Sequence, residues 1–547
     1  MAGEEPPLEI CYADEVKHGT TTTVGHIKYY RDKFLGKGAF GSVYMGRSSG
    51  RDVAVKRIEY HGKEEEKLIG KEIEFLLKLD ANNAKVIRFY TAVRSDEHYL
   101  IAMELGVCTV HDYVKEKVKF TSLGIDKVTI LRDSSKGLEW LHEKQIMHRD
   151  IKPENILLVR DEKDGIVAKL TDFGISKELT SGTQAMTSWK GTLDWMAPEV
   201  QESGGQVGSV GAADVFSLGL VFYYVLSEGK HPFSKNDTMT AKVIKSDSAC
   251  LDVVPKGSMR SLIEEMIQKT PGDRPSSKYV ARHPTFWEPK KTQLFYQAIS
   301  DLIMAKDENL KATVDENPTR VFEEQGEQGE PKDWRTIIDK SLDEGSFKSY
   351  KDATVSQLLR FIRNKLHHFD EVPEEGRRIV HNTKSGLVDY IADKFPLLLM
   401  HVWEAAVIRR DKPDIRDFYT AFSIIKVDPN TVILPAGVGT IEMAELRSSR
   451  ETVERMSVSA ADLPRLKGQL LEGLNHLNVR GPEVTEPRWP GWDEDDGLSV
   501  SLQGVTADTI SHLADLGQTV GRLEIYGEQR QHGQADDIRA QRMANTE

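Results

Sequence analysis

The chain of 547 residues is poor in cysteine, with three widely separated residues, Cys11, Cys108 and Cys250. That is too few, and too scattered, for a disulfide framework or a zinc cage, and it suits a reducing compartment. Long apolar runs are also missing. Stretches such as Leu218 to Leu226 fall far short of the ~20 residues a membrane helix needs. The opening Met1-Ala-Gly-Glu-Glu-Pro-Pro is acidic and lacks the apolar segment of a secretory leader. Positive charge is not in excess either. The balance is -13, so no general affinity for nucleic acid follows, and an RNA site would have to be a local basic patch. The expectation is a cytoplasmic protein without a membrane span. What is present is ordinary globular composition, 39% hydrophobic and 29% charged, in a length that allows two to four domains.

A run of phosphate-handling motifs follows a short N-terminal stretch. Gly36-Lys-Gly38-Ala-Phe-Gly41-Ser-Val43 is G-x-G-x-x-G-x-V, in which glycines let the backbone fold over phosphates and present N–H groups to them. Alone it is a weak pattern. Val53-Ala-Val-Lys56 then alternates as a strand and offers Lys56 to the α/β-phosphates. A helical stretch supplies Glu72 as the partner of Lys56, with Glu74 as the second choice. His148-Arg149-Asp150-Ile-Lys152-Pro-Glu-Asn155 places Asp150 at a substrate hydroxyl and Asn155 on a magnesium ion. Asp172-Phe173-Gly174 adds the second metal carboxylate, and Ala197-Pro198-Glu199 closes the segment after it. Each triplet has a dull explanation by itself. Their joint occurrence in this order does not.

Over residues 29–288 the chain therefore resembles the eukaryotic protein kinases. That resemblance implies a bilobal α+β fold, with a β-rich N-lobe and a helical C-lobe. It implies ATP and Mg²⁺ as ligands. Lys152, two residues after Asp150, resembles the serine/threonine subclass, and Thr192 occupies its hydroxyl position. Met103 would be the gatekeeper, Glu104 to Gly106 the hinge, and Asp214 the anchor of the catalytic loop. The implied nucleotide contacts are Leu35, Gly36, Gly38, Gly41, Val43, Lys56, Glu72, Glu104 and Gly106, with Asn155 and Asp172 on the metal and Asp150 and Lys152 at the chemistry. Thr180, Ser181, Thr183, Thr187 and Ser188 are candidate autophosphorylation sites.

Residues 306–333 read as a linker, after which the pattern turns helical. Thr354-Val-Ser-Gln357 reads as a capping box ahead of Leu358, Leu359 and Ile362. Between 345 and 369 stand Lys348, Lys351, Arg360, Arg363 and Lys365 against the single acid Asp352, a local reversal of charge that suits a phosphate backbone. It equally suits the basic face of an amphipathic helix. Residues 289–409 resemble the all-α kinase-extension nuclease (KEN) domain of ribonuclease L and of the ER-stress sensor kinase/ribonuclease. Asp214 to Phe233 and Phe395-Pro-Leu-Leu-Leu399 carry the same resemblance. It implies a catalytic His368 with Tyr350, Arg363 and Asn364 beside it, a metal-independent attack of an RNA 2′-OH on its neighbouring phosphate, and no role for DNA. It further implies RNA as substrate, stem-loop or single-stranded, and a homodimer or higher oligomer. ATP or ADP would then act as an allosteric ligand as well. Adjacent His367 should face about 100° away on the helix.

The luminal and ankyrin domains of the two relatives are not expected here, with residues 1–28 read as a flexible tail. Residues 410–547 are read either as a partly disordered tail or as a small α/β unit of leucine-rich-repeat type, because Leu498-Ser-Val500-Ser-Leu502 and Leu523-Glu-Ile525 alternate like strands. The main expectation is a serine/threonine kinase coupled to an endoribonuclease. The alternatives are a kinase whose extension only dimerises, and a nucleotide-binding pseudokinase scaffold.

Overall fold

A computed structural model describes residues 11–13, 15–38, 41–79, 85–173, 193–202, 210–233, 249–322, 324–325, 330–343, 345, 347–409 and 412–419, together with six strands between 425 and 527. Gly174, Thr180, Ser181, Thr183, Thr187, Ser188 and Thr192 lie outside the described residues. The chain divides into two compact units, Met1–Val254 and Pro255–Glu547.

The first unit opens with an eight-stranded sheet. Its strands are β1 (Cys11–Tyr12), β2 (Glu15–His18), β3 (Thr21–Val24), β4 (Ile27–Gly38), β5 (Gly41–Ser48), β6 (Arg51–Glu59), β7 (Phe89–Arg94) and β8 (His98–Met103), in the order β1-β7-β8-β6-β5-β4-β3-β2. Val24, Ile27, Tyr29, Val53, Val55, Val93, Leu100 and Ala102 form one buried core of this sheet. The expected loose tail is thus partly strand. Three β-branched threonines and Val24 pair with β4 from Thr21↔Tyr30 to Val24↔Ile27, and Thr22 and Val24 are fully buried. Helix α1 (Lys63–Lys78) follows β6 and buries Ile69, Ile73 and Leu76. An ion pair from Glu66 of α1 to Arg94 of β7 ties it to the sheet.

The rest of this unit is mainly helical. Helix α2 (Lys127–Glu143) is started by Asp126, whose carboxylate accepts from Thr129 N at 2.8 Å, and it buries Ile130, Leu131, Leu138 and Leu141. Helix α3 (Val210–Leu226) is mostly apolar and largely buried, as a helix inside a core must be, with Asp214 and Ser217 as its buried polar residues. Strands β9 (Cys108–Thr109), β10 (Ile156–Asp161) and β11 (Gly165–Leu170) make a small sheet in the order β11-β10-β9.

The second unit begins inside the stretch whose motifs read as kinase. Helices α4 (Ser258–Met266) and α5 (Ser277–Arg282) belong to one compact unit with α6 (Pro289–Met304), α7 (Glu308–Asp315), α8 (Val355–His367), α9 (Lys384–Lys394), α10 (Leu398–Ala406) and α11 (Pro413–Tyr419). Aromatic rings make the joint. Trp287 lies edge-on to Phe295 at 5.4 Å and to Trp403 at 6.4 Å, and Tyr279 and His283 meet Trp403 at 6.2 and 5.9 Å. Tyr419 stacks on Trp403 at 5.8 Å and donates to its carbonyl at 2.6 Å, so the helical fold runs past the expected end at 409. One two-residue pair, Glu324–Gln325 with Glu330–Pro331, interrupts the helices.

Beyond 424 lies a six-stranded sheet, Ile425–Asp428, Thr431–Ile433, Arg455–Ser459, His476–Arg480, Leu498–Gln503 and Leu523–Gly527, paired in chain order. All pairs after the first are parallel. Val432, Met456, Leu477, Val500 and Ile525 occupy one register column, and Ile433, Ser457, Asn478, Ser501 and Tyr526 the next. Parallel strands stacked in chain order, with like residues in register over successive strands, are the pattern of a solenoid. Among the described residues no helix is long and apolar enough to cross a membrane.

Candidate functional site

In the first unit the motif residues converge. Lys56, on β6 opposite Val43 and Ile101, is 1% exposed, and its Nζ lies 2.8 Å from Asp172 Oδ1. Burial raises the Asp172 carboxyl, but the ammonium of Lys56 outweighs it, and the net shift is below the usual carboxylate range. Glu72, the expected partner of Lys56, stands half-buried on α1 beside buried Ile73.

Asp150 is held from one side. Lys152 Nζ donates to its Oδ2 at 2.7 Å and Asn155 Nδ2 donates to the same oxygen at 2.8 Å. The other oxygen, Oδ1, is buried and has no hydrogen-bond partner among the described residues. An acceptor left open in this way can take a substrate hydroxyl. The loop that carries it is strained at Arg149 (φ 67°) and braced by Asp214. Both carboxylate oxygens of Asp214 accept backbone N–H bonds, from His148 and Arg149, at 2.8 Å. His142 Nε2 adds a third contact at 2.9 Å. Burial opposes ionisation of Asp214, yet these donors hold its carboxyl below the ordinary value.

The place where the resemblance expects adenine is a partly buried apolar slot. Val43, Leu105 and Leu157 pack on a core of Ala54, Ile87, Met103, Val159 and Val167. Gly106 belongs there for a steric reason: a Cβ would meet the Leu157 side chain at 3.2 Å. Gly36 pairs with Val43 and Gly38 with Gly41 across the β4–β5 turn, and Leu35 is exposed beside them. A side chain at Gly41 (φ 147°) would stand 2.1 Å from the Arg57 carbonyl. One group escaped the sequence reading. Lys169 Nζ donates to both oxygens of Glu104, at 2.8 and 2.9 Å, with the Glu104 and Lys169 side chains 15% and 5% exposed, and Arg88 N adds a bond to Glu104 Oε2 at 3.3 Å. The only signal was a lysine in an otherwise apolar strand.

The second unit assembles a different cluster on α8. Thr354 caps the helix by accepting from Gln357 N at 3.4 Å, whereas Gln357 Oε1 has no hydrogen-bond partner among the described residues. Half of the expected capping box is therefore present. Asp315 of α7 takes the other role, accepting from Ser356 N and Oγ at 2.7 Å. With Leu358, Leu359, Ile362 and Leu366 buried, Arg360, Arg363 and Asn364 are left half-buried.

Tyr350 reaches this stripe from the preceding loop. Its ring sits among Trp334, Phe347 and Phe361, with the Trp334 and Phe361 centroids 5.7 and 5.6 Å away. Its hydroxyl accepts from Asn364 Nδ2 at 3.3 Å. Burial raises its pKa, so the phenol stays neutral at physiological pH. Arg363 lies beside Asn364 but also donates to Asp301 of α6 at 2.8 Å. His368 is the residue that ends α8, not one within it, so the contrast drawn with His367 on helical grounds does not apply. Its N–H bonds the Asn364 carbonyl at 2.9 Å, while its exposed imidazole places Nδ1 3.0 Å from Glu371 Oε1. A carboxylate on Nδ1 makes that nitrogen the donor and leaves Nε2 to take or give a proton. Tyr350, Arg363 and Asn364 are thus in contact, and His368 joins them through its backbone. Asp301 and Glu371 were not legible in the sequence as partners.

The sequence matches the protein kinase domain family over residues 29–286 and the Ribonuclease 2-5A family over residues 293–419. The chain belongs to the kinase/KEN endoribonuclease family. Among its relatives it is 34% identical to the human "Serine/threonine-protein kinase/endoribonuclease IRE2" over 416 residues, 74% of this chain and 43% of that one. It is 31% identical to the Caenorhabditis elegans "Serine/threonine-protein kinase/endoribonuclease ire-1", covering 72% of this chain and 40% of the relative. For the Schizosaccharomyces pombe "Sensor for unfolded proteins in the ER ire1" the figures are 30%, 70% and 38%. The chain thus spans less than half the length of these kinase/KEN relatives. Both family matches stop short of the parallel sheet beyond 424.

Proposed function

We propose that the chain is an ATP-dependent serine/threonine kinase coupled to a metal-independent RNA endonuclease. The observation that carries the nuclease half is the Tyr350–Asn364–Arg363 contact with His368 at the end of the same helix. In that arrangement Arg363 and Asn364 bind a phosphate, Tyr350 donates to one of its oxygens, and His368 Nε2 moves the proton.

In the kinase half Lys152 and Asn155 fix one oxygen of Asp150, and the other orients the incoming hydroxyl. Lys56 binds nucleotide phosphates. The oxygen donors of Asn155 and Asp172 suit Mg²⁺, a hard cation that supplies neutralisation of phosphate charge when bound. Val43, Ala54, Leu105 and Leu157 would grip the adenine.

The protein substrates, including the chain itself, and the RNA substrate belong to the same proposal. So do a cytoplasmic site of action, dimerisation, and ADP as an allosteric ligand whose binding differs between monomer and dimer. One experiment tests the core of it. A labelled stem-loop RNA is incubated with the purified chain in EDTA, with and without ADP, beside His368→Ala. Cleavage by the wild type, reduced at least 100-fold in the variant, is expected. RNA left intact by the wild type at micromolar protein would remove the nuclease half. Transfer of label from γ-labelled ATP, lost in Asp172→Ala, tests the kinase half.

A further inference from the structure

The basic residues around α8 do not have equal standing. Lys348 and Lys351 are exposed. Lys365 is neutralised by Asp343 at 2.7 Å and Arg363 by Asp301 at 2.8 Å. Arg360 differs from all four. It is half-buried, no acidic partner is found for it among the described residues, and its Nε is buried without any hydrogen-bond acceptor. Its guanidinium lies 5.8 Å from the centroid of the Tyr350 ring. It also stands one helical turn before Asn364, the residue bonded to the Tyr350 hydroxyl.

A guanidinium partly withdrawn from water and left without an anion is costly, and the face of an aromatic ring offsets only part of that cost. Its five donors in a planar fork match phosphate oxygens. Among the described residues the charge is therefore uncompensated at the one place in the cluster where the phenol and the amide also converge. Arg363, by contrast, must share its charge with Asp301.

We propose that Arg360 is a phosphate-binding residue of the RNA site, holding the phosphodiester on the Tyr350–Asn364 side while Arg363 is shared with Asp301. The inference rests on the nuclease reading but is measured separately from it. The full chain, Arg360→Gln and Arg360→Lys are assayed on a fluorescent stem-loop RNA for KM, kcat and binding at several salt concentrations, with thermal unfolding alongside. Arg360→Gln is expected to raise KM about five- to tenfold, to change kcat by less than about threefold, and to lower the salt slope of binding by about one. Arg360→Lys restores the slope because it restores the charge. A KM and a salt slope equal to wild type in Arg360→Gln would overturn the inference. So would a lowered melting temperature that Lys fails to rescue with the slope unchanged, since that is the signature of packing alone. RNA left uncut by the wild type counts against the nuclease reading, and the salt slopes of binding still decide Arg360.

Discussion

Single residues in this chain owe their behaviour to partners far away in sequence. Lys169 and Glu104 are the plainest case, a nearly buried ion pair behind the adenine slot. Removing one member strands the other away from water, which costs more than the pair contributes. Lys169→Met should therefore destabilise the first unit by about 2–4 kcal/mol, and adding Glu104→Gln should recover most of that loss. Urea midpoints of the four proteins in the cycle measure it. Tyr350 makes the opposite point. Its ring is core and its hydroxyl is site, so Tyr350→Phe should shift stability by no more than about 1 kcal/mol while RNA cleavage falls at least tenfold. An equal loss of both would mean the hydroxyl serves only the fold.

Helix α8 is the element on which the nuclease cluster stands, and its N-terminus is held by two caps. Thr354 provides one bond to the backbone, while Asp315 provides a charge-assisted pair to Ser356 from another helix. Thr354→Ala should cost about 1 kcal/mol and Asp315→Ala about 2 kcal/mol, an order that thermal unfolding checks. The local cap was readable from Thr354 and the apolar spacing after it. The stronger cap was not, because forty-one residues separate Asp315 from Ser356. In the first unit the Thr21–Val24 strand has the same history. Its threonines read as a polar tail until β4 supplies the partner that buries Thr22 and Val24.

For the molecule, the boundary between units matters more than the boundary between motifs. Residues from Pro255 to Trp287 carry kinase sequence but share a core with the nuclease helices through Tyr279, His283, Trp287 and Trp403. Burial pushes His283 down to about 3, and its Nδ1 accepts from Thr285 N at 3.2 Å, a bond a protonated ring cannot make. His401, buried against the Val314 carbonyl, is lowered as well. A histidine depressed in the fold takes up its proton in the unfolded chain first. Stability is therefore full above the ordinary pKa of about 6.5 and falls as pH drops toward the folded value. Between pH 7.5 and 5.5 the second unit should lose about 1.4 kcal/mol through His283 alone. A urea midpoint that is flat over this range would contradict it.

The candidate site residues were legible in the chain itself. Glycine-rich turn, Lys56, Asp150, Asn155 and Asp172 are short motifs whose spacing reflects local backbone geometry, and Tyr350, Arg363, Asn364 and His368 lie on one loop, one helix and the residue that ends it. What tertiary structure decided is which charges remain available. Asp172 and Asp301 draw on Lys56 and Arg363, Asp343 draws on Lys365, and Glu371 orients His368. Among the described residues, Arg360 is the one basic residue of α8 left half-buried over Tyr350 without an acidic partner. Local order sets the residue types because a turn or a helix spans a few positions. Charge balance depends on the folding that brings distant carboxylates within about 3 Å, where one ion pair changes which arginine a phosphate can find.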